Sequence, residues 1–312
     1  MTSKINRRKI NRTNRTMIRK GDLIFYCLLL LIPLVQIGIF YFGVNFQSFF
    51  MAFQKRVGGQ FVFDIGPNVE HFKNDISRNG FWQMIGNSFS VYLFTSLTGT
   101  VLATIFSYYI YKKRTLYNVF KFCLFLPSIL PAIFLVVMFQ MFVSNALPAY
   151  TQLLFGKSVP DYFGMEFGGG KTRFIIVTIY TIWISFGSQV LVYTGAMDQI
   201  PPEVIEAGKI DGTNSFTEFI HIIIPYILST VGTFIIAGIA SIFTNQNNLF
   251  SFFNWNQLNE NEYTVGYYLY YLVYSDNSYS GYCYASFLGL ICTVIVVPLS
   301  FGVRKIITKV TG

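Results

Sequence analysis

Six runs of about 20 or more residues pass with almost no charge through this chain, at about 23–44, 82–111, 116–143, 174–197, 221–243 and 283–303. An α-helix needs about 20 apolar residues to cross roughly 30 Å of hydrocarbon, so each run predicts a membrane-spanning helix. The composition agrees, because 53% hydrophobic, 19% aromatic and only 12% charged residues fall outside the range of a soluble globular chain. The expected fold is therefore all-α, a polytopic membrane protein with six transmembrane helices.

Sidedness follows from Lys and Arg. The first 20 residues hold Lys4, Arg7, Arg8, Lys9, Arg12, Arg15, Arg19 and Lys20, and the connection after the second run holds Lys112, Lys113, Arg114 and Lys121. Arg304, Lys305 and Lys309 follow the last run, whereas 244–282 contains neither Lys nor Arg. Cationic loops stay cytoplasmic, which predicts both termini and the connections after the second and fourth runs on that side. Residues 1–20 read as a basic cytoplasmic tail, 21–308 as one transmembrane domain and 309–312 as a second tail. The first run is too long for a cleaved signal peptide and no A-x-A-like site follows it. A topology signal also accounts for the net charge of +9 without nucleic acid as a partner.

Within the runs there is essentially no Asp, Glu, Lys, Arg or His. Proton- and voltage-driven machines need ionisable groups at depth, so any energy must come from a partner protein. Neutral polar residues do occur: Asn87, Ser88, Ser90, Thr95, Ser96, Thr98, Thr100 and Thr104 in the second run, Gln189 and Thr194 in the fourth. These suit hydrogen bonds between helices or a path for an uncharged polar solute. Pro127 and Pro131 predict a kink or break in the third span. Cys27, Cys123, Cys283 and Cys292 lack metal-site or disulfide spacing and read as small buried hydrophobes. Gly58-Gly59 predicts a turn in an outer loop over 45–81, and a second outer loop is expected over 144–173.

Two motif matches are decoys. Gly170-Lys171-Thr172 resembles the end of a phosphate-binding loop, but the required earlier glycine position is Met165, and Gly164 is out of register. Two N-x-S/T matches at Asn11 and Asn14 fall in the expected cytoplasmic tail, where no glycan is added.

The connection from about 198 to 225 carries the most information. Pro201 and Pro202 suit a helix start, with Glu203 and Glu206 in its first turns against the dipole. Asp211-Gly212 supplies a turn, and Ser215 with Glu218 has capping-box spacing for a second short helix. Ala207 and Gly208 would let another protein approach the first helix closely. This makes the segment a docking knob.

This segment, with Glu206, Ala207, Asp211, Gly212, Ile222 or Ile223 and Pro225, resembles the EAA loop of bacterial ATP-binding-cassette importer permeases. Gly208, Thr213 and Ile224 depart from that pattern by small or apolar replacements. Asn87-Ser88, Leu126-Pro127-Ser128 and the six-span layout are similar to the maltose-type branch, over about residues 20–308. The resemblance implies the type I importer permease fold, with Glu206, Ala207, Gly208, Asp211 and Gly212 touching the ATPase. It further implies a second permease, two cytoplasmic ATPase subunits that hold ATP and Mg, an extracytoplasmic solute-binding protein and a bacterial inner-membrane location. No cofactor would sit on this chain, which would catalyse no covalent reaction. The implied solute is a sugar or oligosaccharide, and its contact residues cannot be numbered from sequence. A permease for another solute, a non-transporting membrane scaffold and an ion channel remain as alternatives.

Overall fold

The computed structural model describes residues 20–57, 60–157, 170–253, 258–274 and 279–311. In chain order, α1 (Phe25–Met51) is followed by β1 (Gln54–Val57), β2 (Gln60–Phe63), α2 (Gly66–Ile76) and α3 (Asn79–Tyr111). Next come α4 (Tyr117–Ile129), α5 (Ala132–Phe155), α6 (Lys171–Met197), α7 (Pro202–Ile210) and α8 (Ser215–Ala240). The chain closes with α9 (Leu249–Phe253), α10 (Val265–Tyr274) and α11 (Tyr279–Thr311). Six of these are long and apolar enough to cross a membrane: α1, α3, α5, α6, α8 and the stretch Gly281–Lys309 of α11.

The chain divides into two units, one ending at Phe50 and the other beginning at Met51. In the first, the side chains of α1 are exposed along the described length, the condition of a helix whose solvent is hydrocarbon. In the second, α3 packs along α6, and α8 along α11. Ser107 Oγ donates to the Val190 carbonyl at 3.0 Å, tying α3 to α6. Where α4 meets α6, a Cβ on Gly187 would stand 2.4 Å from the Leu124 carbonyl oxygen, so only glycine permits the crossing.

The third span is not where apolar composition places it. The chain is extended at Leu130 and Pro131 (ψ 147° and 131°), so the run 116–143 contains two helices. Proline pushes the residue before it out of the helical region. At 13 residues, α4 is too short to span, and the membrane-length helix is α5, which runs on into the expected outer loop. Pro127 lies buried inside α4 without ending it.

Other expectations are refined. The loop after α1 adds a small antiparallel hairpin to the all-α fold, pairing Gln54 with Phe63 and Val57 with Gln60. The last helix continues through Arg304, Lys305 and Lys309 to Thr311. Cys283 is buried and Cys292 half-buried, but Cys27 and Cys123 are exposed on apolar helices, so the expectation of four buried cysteines holds for the later pair and not for the earlier one. Residues 1–19, Gly58, Gly59, residues 158–169 with Gly164 and Met165, and Gly312 lie outside the described residues.

The described parts of the Asn- and Tyr-rich stretch after α8 pack onto the bundle. Asn87 Nδ2 donates to the carbonyls of Asn261 and Tyr263 at 3.0 and 2.9 Å, and Ser88 Oγ accepts from Val265 N–H at 2.8 Å. Arg173 reaches both carboxylate oxygens of Glu262, at 3.0 and 3.2 Å, with both side chains buried. Glu262 also accepts from the Gly170 and Asn259 amides. An amide that a phosphate loop would aim at its anion is thus occupied by a carboxylate of the same chain. Asp75 of α2 likewise accepts from the Tyr268 and Tyr284 hydroxyls, at 2.8 and 2.5 Å.

Candidate coupling surface and solute cavity

The connection between α6 and α8 begins as the sequence leads one to expect. Pro202 opens α7, where no amide hydrogen is needed, with Glu203 in the first turn and Lys209 in the last, each matching the helix dipole. The helix ends as Asp211 N–H returns to the Ala207 carbonyl and Thr213 N–H to that of Gly208. Gly212 takes the left-handed conformation this ending requires, at φ +78°.

The second half differs. Asn214, not Ser215, caps the next helix, its side-chain oxygen accepting from Thr217 N–H at 2.8 Å. Both residue types can cap, but Asn214 has the extended backbone that a cap needs and Ser215 is already helical. Glu218, expected to close a capping box, is turned inward at 3% exposure, and its Oε1 lies 2.5 Å from Lys112 Nζ. Nor is the helix short, because it passes through a wider turn at Phe219–Ile223 into the rest of α8. Pro225 has no amide hydrogen for the His221 carbonyl and crowds it, and the backbone adapts by bonding Ile224 N–H to the Phe219 carbonyl.

Helix α7 has two faces. Ile205 packs inward with Met197, Ile200, Ile223 and Ile227, and Tyr108 and Tyr111 of α3 pack against the same cluster. Gly208, one turn on, is buried on that side, where an added Cβ would meet Ile222 Cδ1 at 2.7 Å and Thr213 Oγ1 at 3.2 Å. Its missing side chain lets α7 lie flat on the start of α8, so the expectation that Gly208 offers a close approach to another protein is corrected. Glu206, Ala207, Asp211 and Gly212 are exposed, as expected for a docking face. Beside them stand Ile210, 86% exposed, and Phe216, 74% exposed. Large apolar side chains thus stand out beside the carboxylates of Glu206 and Asp211 on this face.

Further along the bundle, α3, α6 and α8 line an open-sided cavity of about 200 Å³, with room for several waters. Ser88, Thr95, Ser96 and Thr100 line it from α3, Thr181, Ser185 and Gln189 from α6, and Gly238 from α8 with Ser241 and Asn245 just past its end. Among the described residues, no carboxylate, ammonium, guanidinium or imidazole is in its wall. Thr95 Oγ1 donates within its own helix to the Val91 carbonyl at 2.6 Å, whereas Gln189 Oε1 is buried without a partner among the described residues. An unpaired buried acceptor costs free energy that a donor on a bound solute or water would recover.

A sequence profile of the family described as "binding-protein-dependent transport system inner membrane component" matches residues 96–309, from the cavity wall on α3 through α7 to the last helix. The chain belongs to that family. It is thus a multi-pass inner-membrane component of a binding-protein-dependent transport system, a transport part and not an enzyme. It is 22% identical over 268 residues to the multiple sugar-binding transport system permease protein MsmF of Streptococcus mutans, covering 86% of this chain and 89% of that one. It is 29% identical over 223 residues to the maltose/maltodextrin permease MalF of Vibrio parahaemolyticus, covering 68% of this chain but 40% of the longer relative. The fold matches a chain of a bacterial alginate transporter solved with an alginate-pentasaccharide-bound periplasmic protein, at TM-score 0.74 and 17% identity over 94% of this chain and 96% of that one.

For this inner membrane component, sequence reasoning found five of the cavity's polar residues, Ser88, Thr95, Ser96, Thr100 and Gln189, without knowing that they converge. It missed Thr181, Ser185, Ser241 and Asn245. Their signal was present, since each is a small polar residue in or beside an apolar run. Only the packing of α8 on α3 and α6 brings them to one place.

Proposed function

We propose that this chain is the permease subunit of an ATP-driven importer, working with a second permease, two cytoplasmic ATPase subunits and an extracytoplasmic binding protein. The observation that carries the reading is that α6 and α8, which frame the exposed acid-and-apolar face of α7, are also walls of the polar cavity. Force applied at α7 has a direct route to the cavity. The Lys and Arg distribution supports a cytoplasmic position for α7 and for both termini. In this arrangement Glu206, Ala207, Asp211 and Gly212, with Ile210 and Phe216, meet the ATPase that holds ATP and Mg. Closure of the ATPase pair then tilts the bundle and exposes the cavity to one side at a time.

The solute in this reading is a neutral sugar or oligosaccharide. Hydroxyl and amide groups with no fixed charge suit a hydroxyl-rich uncharged solute, and an acidic polysaccharide would enter this wall without a cation to meet it. The named sugar permeases among the relatives support the same class. The test is ATPase activity of the purified complex in lipid, with and without its binding protein, across neutral sugars, acidic sugars, amino acids and peptides. Stimulation by a neutral sugar on its binding protein is expected. Absence of any ATPase that co-purifies with the chain would overturn the importer reading and leave a membrane scaffold in its place.

A further inference from the structure

Three helices wall the cavity, but only two of them are joined by backbone to the loop that carries α7. Helix α6 runs into that loop through Met197 and Ile200, and α8 begins in it at Ser215. Helix α3 ends at Tyr111, far from the loop in sequence, and must be attached through side chains if it is to move with the other two walls.

The attachment is specific. Lys112, at the end of α3, places Nζ 2.5 Å from the buried Glu218 Oε1, one helical turn after the cap of α8. Its ammonium lies over the Tyr108 ring, 5.6 Å from the centroid. Tyr108 in turn donates its hydroxyl to the Ser215 carbonyl at 2.9 Å, and its ring meets that of Phe219 at 4.9 Å. The residues on the loop side, Ser215, Glu218 and Phe219, lie at and just before the widened turn ahead of Pro225. Thr100, the cavity residue nearest to Lys112 along α3, is about 18 Å away on the same unbroken helix at 1.5 Å per residue.

We propose that Lys112, Tyr108 and Glu218 form a latch that couples α3 to the docking loop, so that all three cavity walls respond together when the loop is pushed. Lys112 and Glu218 are positioning residues, since neither lines the cavity nor belongs to the exposed face of α7. The inference rests on the importer reading and deepens it. The ion pair adds to the apolar cluster beneath α7 a charge contact between one named residue on each element.

The test uses the assembled complex in proteoliposomes with its loaded binding protein, and reads solute uptake per ATP hydrolysed. Lys112→Met and Glu218→Gln are each expected to retain the co-purified ATPase and its hydrolysis without binding protein. Uptake per ATP should fall about 10-fold, within the usual range for a lost coupling between sites. Lys112→Arg, which keeps the charge, should restore most of it. Uptake per ATP unchanged in Lys112→Met would overturn the proposal. So would a loss that tracks loss of the ATPase from the complex, because the pair would then serve only to hold the loop's shape. Failure of the unaltered chain to bring down an ATPase would instead be a failure of the importer reading.

Discussion

Two ion pairs, one buried and one half-buried, stand near the two ends of α3, and they are made differently. Arg173 and Glu262 meet through two nitrogen-to-oxygen contacts, with side chains 7% and 2% exposed, and the amides of Gly170 and Asn259 fill further positions on the carboxylate. Lys112 and Glu218 meet through one contact, and the lysine remains 21% exposed. A buried carboxylate held by one guanidinium nitrogen on both oxygens and by two backbone amides is fixed at several points, whereas an ammonium on a flexible stem with water at its edge can leave and return. The first pair fixes the stretch after α8 onto the bundle, and the second sits where the proposed mechanism requires movement. Burial of charge alone therefore does not say whether a pair is a fastening or a moving part; the number of bonds and the access of water do.

The sharpest way to break this comparison is to remove one partner from each pair. Arg173→Met strands a buried carboxylate and is expected to cost about 3–5 kcal/mol, read as a large drop in the melting temperature of the detergent-purified protein. Adding Glu262→Met should recover much of that loss, because no charge is then left without its partner. Lys112→Met also strands a buried carboxylate, but water already reaches the lysine, 21% exposed, so its drop in melting temperature should be clearly smaller than that of Arg173→Met. If the two single variants melt alike, the distinction between fastening and moving part fails.

The two faces of α7 extend the comparison at smaller scale. Gly208→Val forces a side chain against Ile222 and Thr213 and is expected to cost about 1–3 kcal/mol in thermal unfolding. Ala207→Val, on the exposed face of the same helix, should stay within about 0.5 kcal/mol, while an Ile210→Asp variant folds normally and loses the co-purified ATPase. The smallest effect belongs to the exposed Lys55–Asp64 pair at the hairpin, 2.5 Å apart. The hydrogen bond from Lys55, and then that from the Gly66 amide, holds the Asp64 carboxyl below its ordinary range. A lowered folded-state pKa gives stability that is present above the unfolded carboxylate value of about 3.9 and is lost as pH falls through the lowered one. Asp64→Asn should leave melting at neutral pH almost unchanged and remove only that acid-side dependence.

Legibility from sequence followed the range of the forces involved. Span number was readable because hydrocarbon thickness acts on every run alike, and α7 was readable because Pro202, Asp211 and Gly212 are local signals. The third span was misplaced because hydropathy is blind to the extended pair Leu130 and Pro131, which divides one apolar run into α4 and α5. The cap was displaced by one residue, from Ser215 to Asn214, because both types can cap and only the backbone decides between them. Gly208 was assigned to the outside because a glycine carries no sign of which neighbour it makes room for, here Ile222. The latch was invisible for a similar reason: Lys112 reads as a topology signal and Glu218 as a capping residue until the fold sets them 2.5 Å apart.

The uncharged cavity wall has an electrical consequence. A neutral solute moving past groups that carry no fixed charge transfers no charge across the bilayer, so the membrane potential, worth about 2.3 kcal/mol per elementary charge at 100 mV, neither drives nor resists the step. Uptake would then be set by ATP alone, and a cell that has lost its voltage but kept its ATP could go on feeding.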